Sequence, residues 1–232
     1  MRLFLLFIYS GILFSSCTTY RYATISGSNI ELDERQEFVA ENDTVRIVYN
    51  FYGSKGPVKL SIYNKLPVGL QIDWKRSAMV IGQASYSYYS PNLTVNGDVN
   101  TSAWTRRSAS IDATITREEG LEFLPPGAVS HHTGPFIADT AFQNTAPLSI
   151  PGPPLVIGRS KVKASKASFT PNNSPLLFKS FLTLLTAGQE PQVFTTEHRF
   201  YVSEVLETAA VPFQVWSEPE QTGNKFFMKQ RL

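Results

Sequence analysis

Cysteine is almost absent from this chain: Cys17 is the only one in 232 residues. A lone thiol excludes an internal disulfide framework and any zinc site built on paired cysteines. An excess of one charge is also missing. Twenty-one basic residues stand against nineteen acidic ones, and a net charge of +2 gives no field that recruits nucleic acid. Histidine occurs three times, as His131, His132 and His198. The first two are neighbours and point to opposite faces of an extended chain, so they do not converge on a metal. The chain has no G-x-S-x-G elbow, phosphate-binding glycine loop, H-E-x-x-H helix or EF-hand loop. These absences predict a protein that is not an enzyme and holds no metal or dissociable cofactor.

What the chain has is alternation. In the stretch from Thr44 to Gln83, Val45, Ile47, Tyr49 and Phe51 share one face, and Val58, Leu60 and Ile62 repeat the pattern. Leu70, Ile72 and Trp74 continue it after the turn at Leu66-Pro67-Val68-Gly69. Strand side chains alternate faces, so each run buries one side and wets the other. The stretch therefore predicts an antiparallel meander with Trp74 in the core. Asp73 and Lys75 share the outer face and read as a surface ion pair.

Further strands are expected near 36–40, 77–83, 109–115, 121–124, 156–169, 176–187 and 192–206, with a last one at Phe213–Trp216. Pro91 and the Asn- and Gly-containing residues up to Ser102 read as a loop, and 224–232 as a basic tail. Gly127 to about Leu155 breaks the pattern with Pro135, Pro147, Pro151, Pro153 and Pro154. Proline lacks the ladder donor, so this segment reads as irregular and extended. Together these runs predict an all-β, antiparallel β-sandwich, immunoglobulin-like in class, with a long Pro-rich insertion at about 127–155. The expected organisation is a leader at 1–16, a polar tether at 17–29 and one domain at 30–232.

The N-terminus points to a compartment. Arg2 precedes an apolar run, Leu3 to Phe14, too short to span a bilayer, which ends in Ser15-Ser16-Cys17. This arrangement resembles a bacterial lipoprotein signal, and with the Tyr-rich mature chain it is similar to outer-membrane lipoproteins of Bacteroidetes-type bacteria. The resemblance implies cleavage before Cys17, a covalent lipid on its sulfur and usually a palmitate-like chain on the new amine. Surface-exported members carry acids just after the cysteine. Thr18-Thr19-Tyr20-Arg21-Tyr22 stands here instead, which favours the periplasmic face of the outer membrane.

The expected function is a membrane-anchored β-sandwich that binds a partner protein, as an accessory subunit of an outer-membrane complex. The alternative is a cell-surface glycan binder or hydrolase. Phe136, Phe142 and Leu148 in the Pro-rich segment are candidate partner anchors, as aromatic and aliphatic residues set among small ones. Tyr86, Tyr89 and Trp104 form a second candidate surface, because Tyr and Trp bring contact area at low entropic cost. The lipid is directly testable. Cys17→Ser removes the acylated sulfur, so the chain should lose its detergent-phase partition or persist as precursor. An intact mass showing a mature chain that starts elsewhere without lipid would refute the anchor.

Overall fold

The computed structural model describes residues 18–89, 92–100, 108–116, 120–138, 142, 148, 150–188, 190–217 and 220–230, the stretches 92–100 and 108–116 by backbone pairing. Two antiparallel sheets pack face to face as a sandwich. The smaller follows the meander: β2 (Glu31–Leu32), β3 (Phe38–Glu41), β4 (Val45–Asn50) and β5 (Pro57–Asn64), closed by β11 (Val129–Phe136). The larger has the order β10 (Leu121–Leu124), β6 (Leu70–Ile81), β15 (Leu177–Thr186), β16 (Val193–Thr208), β1 (Thr19–Gly27) and β17 (Lys225–Gln230). Two short strands attach to its flanks: β7 (Ala84–Ser87) pairs with β6, and β14 (Ala164–Ser168) with β16. Among the described residues two hairpins pair only internally, β8 (Asn92–Asn100) with β9 (Ser108–Thr116) and β12 (Leu155–Ile157) with β13 (Ser160–Val162).

The alternation places the core as expected: Val45, Ile47, Leu60, Ile62, Ile72 and Trp74 are all buried between the sheets. At its centre Phe38, Tyr49, Phe51, Phe178 and Phe200 meet mostly edge to face, with centroids 5.1–6.3 Å apart. Such geometry sets the positive ring edge against the negative face. Two bulges set the phase of the outer residues. Asp73 and Ala78 of β6 face Thr183 and Phe181 of β15, so four residues of one strand span a single residue of the other. Ser77 Oγ closes the loop, donating to the Asp73 carbonyl at 2.6 Å and accepting from Thr183 N at 3.0 Å. Asp73 turns to Arg76, at 3.5 Å, rather than to Lys75. The second bulge skips Ser203 in the register with β1, and burial on β16 passes from even positions (His198, Phe200, Val202) to odd ones (Val205, Glu207).

Several expectations are corrected. Residues 19–27 are not a tether but β1, flanked on both sides by strands, with Arg21, Tyr22, Ala23 and Ile25 buried. The polar look of Thr18 to Arg21 hid this, because the charge it contains is neutralised inside the protein. The supposed loop before Ser102 includes β8, where Leu93, Val95 and Val99 stand opposite Ile115, Ala113 and Ala109. The first part of the Pro-rich segment is β11, in register with β5 from Val129 to Thr133 and shifted only around Gly134-Pro135. Phe213 lies in a short helix, α1 (Pro212–Val215), with proline at its start, where a missing N–H costs least. The basic tail supplies β17.

Trp74 and Lys75 test the register. Trp74→Ala should cost about 3–5 kcal/mol in urea unfolding, the range for a buried large aromatic. Lys75→Ala should cost under about 1 kcal/mol, since the side chain is exposed and its ammonium lies 5.2 Å from the centre of the Tyr89 ring. Equal losses would mean the faces of β6 are exchanged.

Candidate functional site

Among the described residues, side chains capable of chemistry gather in two places. The first is the seam where β7 runs along β11 and the sheets meet. Glu122 on β10 accepts from Trp74 Nε1 at 2.8 Å and from Ser130 Oγ at 2.6 Å, tying β6 to β11 across the sandwich. His132 stacks on Trp74 at 4.0 Å and 19°, with Nε2 3.0 Å from the Tyr88 carbonyl. Tyr88 fits this close only because position 134 is glycine: a Cβ there would lie 2.6 Å from the tyrosine ring.

Deeper in, Ser180 Oγ sits 2.9 Å from Tyr88 Oη and 3.1 Å from Tyr49 Oη, and Tyr49 Oη is 2.8 Å from His198 Nδ1. Burial pushes both phenols well up and the His198 imidazole down, so all stay neutral near pH 7. A serine near a histidine invites comparison with an acyl-transfer pair. Here Tyr49 stands between them and Ser180 is fully buried, so no substrate carbonyl reaches it. The chain of hydroxyls instead satisfies polar groups that strands from both sheets carry into the core.

The second place is a buried ion pair. Arg21 on β1 sets Nε and Nη2 at 2.7 and 2.6 Å from Glu207 Oε1 on β16, and the two side chains are 2% and 6% exposed. Arg21 Nη1 donates to the Phe142 carbonyl at 2.8 Å, and its guanidinium lies 5.1 Å over the Phe142 ring. Glu207 accepts from Leu148 N at 2.8 Å and from Gln230 Nε2 at 3.1 Å. Pairing and hydrogen bonding together offset the desolvation of both charges. The pair thereby ties the Pro-rich segment to the sheet at residues 142 and 148.

The sequence-derived candidates separate accordingly. Phe142 is 1% exposed and packs on Phe226 at 5.5 Å, so it belongs to the core. Leu148 is half-buried with its N–H held by Glu207. Phe136 stands 43% exposed at the end of β11. Tyr86 and Tyr89 are half-buried beside the seam. Cys17 and Trp104 lie outside the described residues. The histidines stay apart: His131 meets Ser61 Oγ at 2.9 Å, His132 meets Trp74 and His198 meets Tyr49. Among the described residues no three His, Cys, Asp or Glu side chains form a metal-binding group. Sequence reasoning missed Arg21 and Glu207, which are 186 positions apart and carry no local signal of burial.

No protein-family model, curated protein or solved structure matches this chain.

The clamp makes a sharp prediction. Glu207→Ala strands a buried guanidinium and should cost about 3–5 kcal/mol, whereas Arg21→Met with Glu207→Leu should cost much less than the sum of the single changes. Urea unfolding of the three variants measures this. A Glu207→Ala loss below about 1 kcal/mol would mean that the pair does not hold the segment.

Proposed function

We propose that the protein is a lipid-anchored β-sandwich on the periplasmic face of an outer membrane, where it docks a partner protein as an accessory subunit of a membrane complex. The signal-like run ending at Cys17, followed within two residues by the first strand, supports the anchor. The hairpin β8–β9 carries the docking half of the reading. It extends over nine paired positions yet pairs with neither sheet, and an isolated two-stranded hairpin is only marginally stable in water. A partner that covers it would supply the pairing and support that neither sheet provides. Tyr86 and Tyr89 stand at its root, Trp104 falls in its connection, and Phe136 is exposed on β11 alongside β7. The clamped segment at 142–148 is the less suitable surface, because docking through Phe142 would empty part of the core.

One feature favours the glycan-binding alternative. On the outer face of the smaller sheet, Tyr63, 40% exposed, borders a shallow hollow of about 340 Å³ with Arg46, Glu41 and Ser61. An exposed ring among charged hydrogen-bonding groups suits a sugar face.

Replacing residues 91–117 with a short Gly/Ser linker separates the readings. Docking through the hairpin predicts a cooperative melt and loss of the co-purifying membrane protein. Retention of that protein would move the surface elsewhere, and polysaccharide binding abolished by Tyr63→Ala would support the alternative.

A further inference from the structure

The strand that replaces the expected tether fixes which end of the molecule faces lipid. Thr19 is two residues from Cys17, so even along a fully extended chain the Cys17 backbone can lie no more than about 7 Å from the start of β1. That start is one end of the large sheet. Tyr20 faces Thr208 at the end of β16 and Lys229 near the end of β17, and Thr208 faces Ala164 at the start of β14. Thr208 Oγ1 also donates to the Lys163 carbonyl at 2.9 Å. The hairpin β12–β13 therefore leaves the fold beside Thr19, and Thr19, Pro154, Val162 and Lys163 line one open groove of about 750 Å³.

The hairpin is built unlike the rest of the surface. It turns tightly at Gly158-Arg159, where Gly158 takes φ of +59°, as the first position of a two-residue turn of this hand requires. Val156 is 70% exposed and stands opposite Lys161. No aspartate or glutamate occurs between Asp139 and Glu190, an interval that carries Arg159, Lys161, Lys163, Lys166 and Lys179. Lys166 is paired with Glu204 at 2.7 Å, and Glu207 is consumed by Arg21. Among the described residues Arg159, Lys161 and Lys163 have no acidic partner, and Lys229 adds a fourth exposed cation at the same end.

We infer that the β12–β13 hairpin is a membrane-contacting finger: Val156 enters the interface of the leaflet holding the Cys17 lipid, and Arg159, Lys161 and Lys163 sit on its anionic headgroups. The inference rests on the anchored reading and adds to it an orientation and a lipid preference. Acyl chains alone leave a domain free to tumble about its attachment. A second contact, basic groups on anionic headgroups, made by a hairpin that leaves the fold beside Thr19, holds the sandwich upright. Each cation at an anionic surface is worth roughly fivefold in partition, so three amount to the order of a hundredfold.

The test uses the mature lipoprotein extracted from membranes, with Val156→Cys as its single free thiol, since the Cys17 sulfur is then a thioether. A polarity-sensitive fluorophore is attached there. Val193→Cys, at the far end of β16 and at most about 50 Å along the strand from Thr208, serves as the control. Both proteins are reconstituted into phosphatidylcholine vesicles with and without phosphatidylglycerol, doped with brominated lipid. The expected result is a blue shift and bromine quenching at 156 but not at 193, stronger with phosphatidylglycerol. The shift should be lost in a Lys161→Glu, Lys163→Glu, Arg159→Glu chain whose melt is unchanged. A 156 label as wet as the 193 label, on a chain whose mass shows the lipid, overturns the finger and leaves the anchor standing. A blue shift without bromine quenching means a protein rather than lipid contact, and overturns it as well. A mature chain with no lipid on Cys17 overturns the anchor and, with it, this inference.

Discussion

The pairing of Arg21 with Glu207 is the constraint on which the arrangement of this molecule turns. Either charge alone in that position would be prohibitive, because a buried ion without a partner loses its hydration for nothing in return. Together they join the first strand to the last third of the longest one. Their remaining hydrogen-bonding capacity then reaches outward, to the Phe142 carbonyl and the Leu148 amide. Residues 142 and 148 are thus held by side chains of the large sheet, where a strand would be held by its own ladder. The same pair explains why β1 can carry Arg21 and still be buried: an arginine that reads as solvated is consumed internally.

The seam between the sheets uses a second device of the same kind. Glu122 receives Trp74 and Ser130 at once, and the hydroxyls of Tyr88, Ser180 and Tyr49 hand on to His198. Two sheets held only by apolar contact could slide, since burial has no direction. Hydrogen bonds of fixed geometry between them select one alignment, with Gly134 admitting the Tyr88 ring that links the two groups. The outer bulge at Asp73–Ala78 belongs to this device as well, for it positions Ser77 to receive the Thr183 amide and the Tyr88 N–H to reach the Ser77 carbonyl.

Period-two alternation made β4, β5, the first half of β6, β15 and most of β16 legible, because each has one face buried throughout. Legibility stops where burial is decided by partners far along the chain. β1 reads as polar because its buried members include Arg21, and β17 reads as a tail because its register is supplied by β1. Gly134-Pro135 disguised β11, although its ladder with β5 simply shifts around them. On β16 the alternation inverts after Val202, since the bulge at Ser203 is a property of its pairing with β1 and not of its own residues. Of the candidate site, Phe136, Tyr86 and Tyr89 could be read as partly exposed aromatics. Phe142 could not be told from them, because its burial depends on Arg21 and Phe226, 121 and 84 positions away in opposite directions.

Replacing the tether by a strand changes what an anchored molecule of this shape can reach. A flexible tether of a dozen residues would let the sandwich sample every orientation above the bilayer. On the proposed anchoring through Cys17, with β1 starting at Thr19, the end that holds Thr19, Thr208 and the basic hairpin would stay at the lipid. The seam lies elsewhere. Ser180 of the buried hydroxyl chain faces His198, which is ten residues along β16 from Thr208, or roughly 30 Å of strand. The β8–β9 hairpin departs just after Tyr89, beside that seam. A partner covering the hairpin, as proposed, would therefore meet the molecule beside the seam, some way along β16 from the end that holds Thr19. Basic and lightly apolar at one end, aromatic at the seam, the two surfaces differ in chemistry as they differ in place, and a single sandwich keeps them apart.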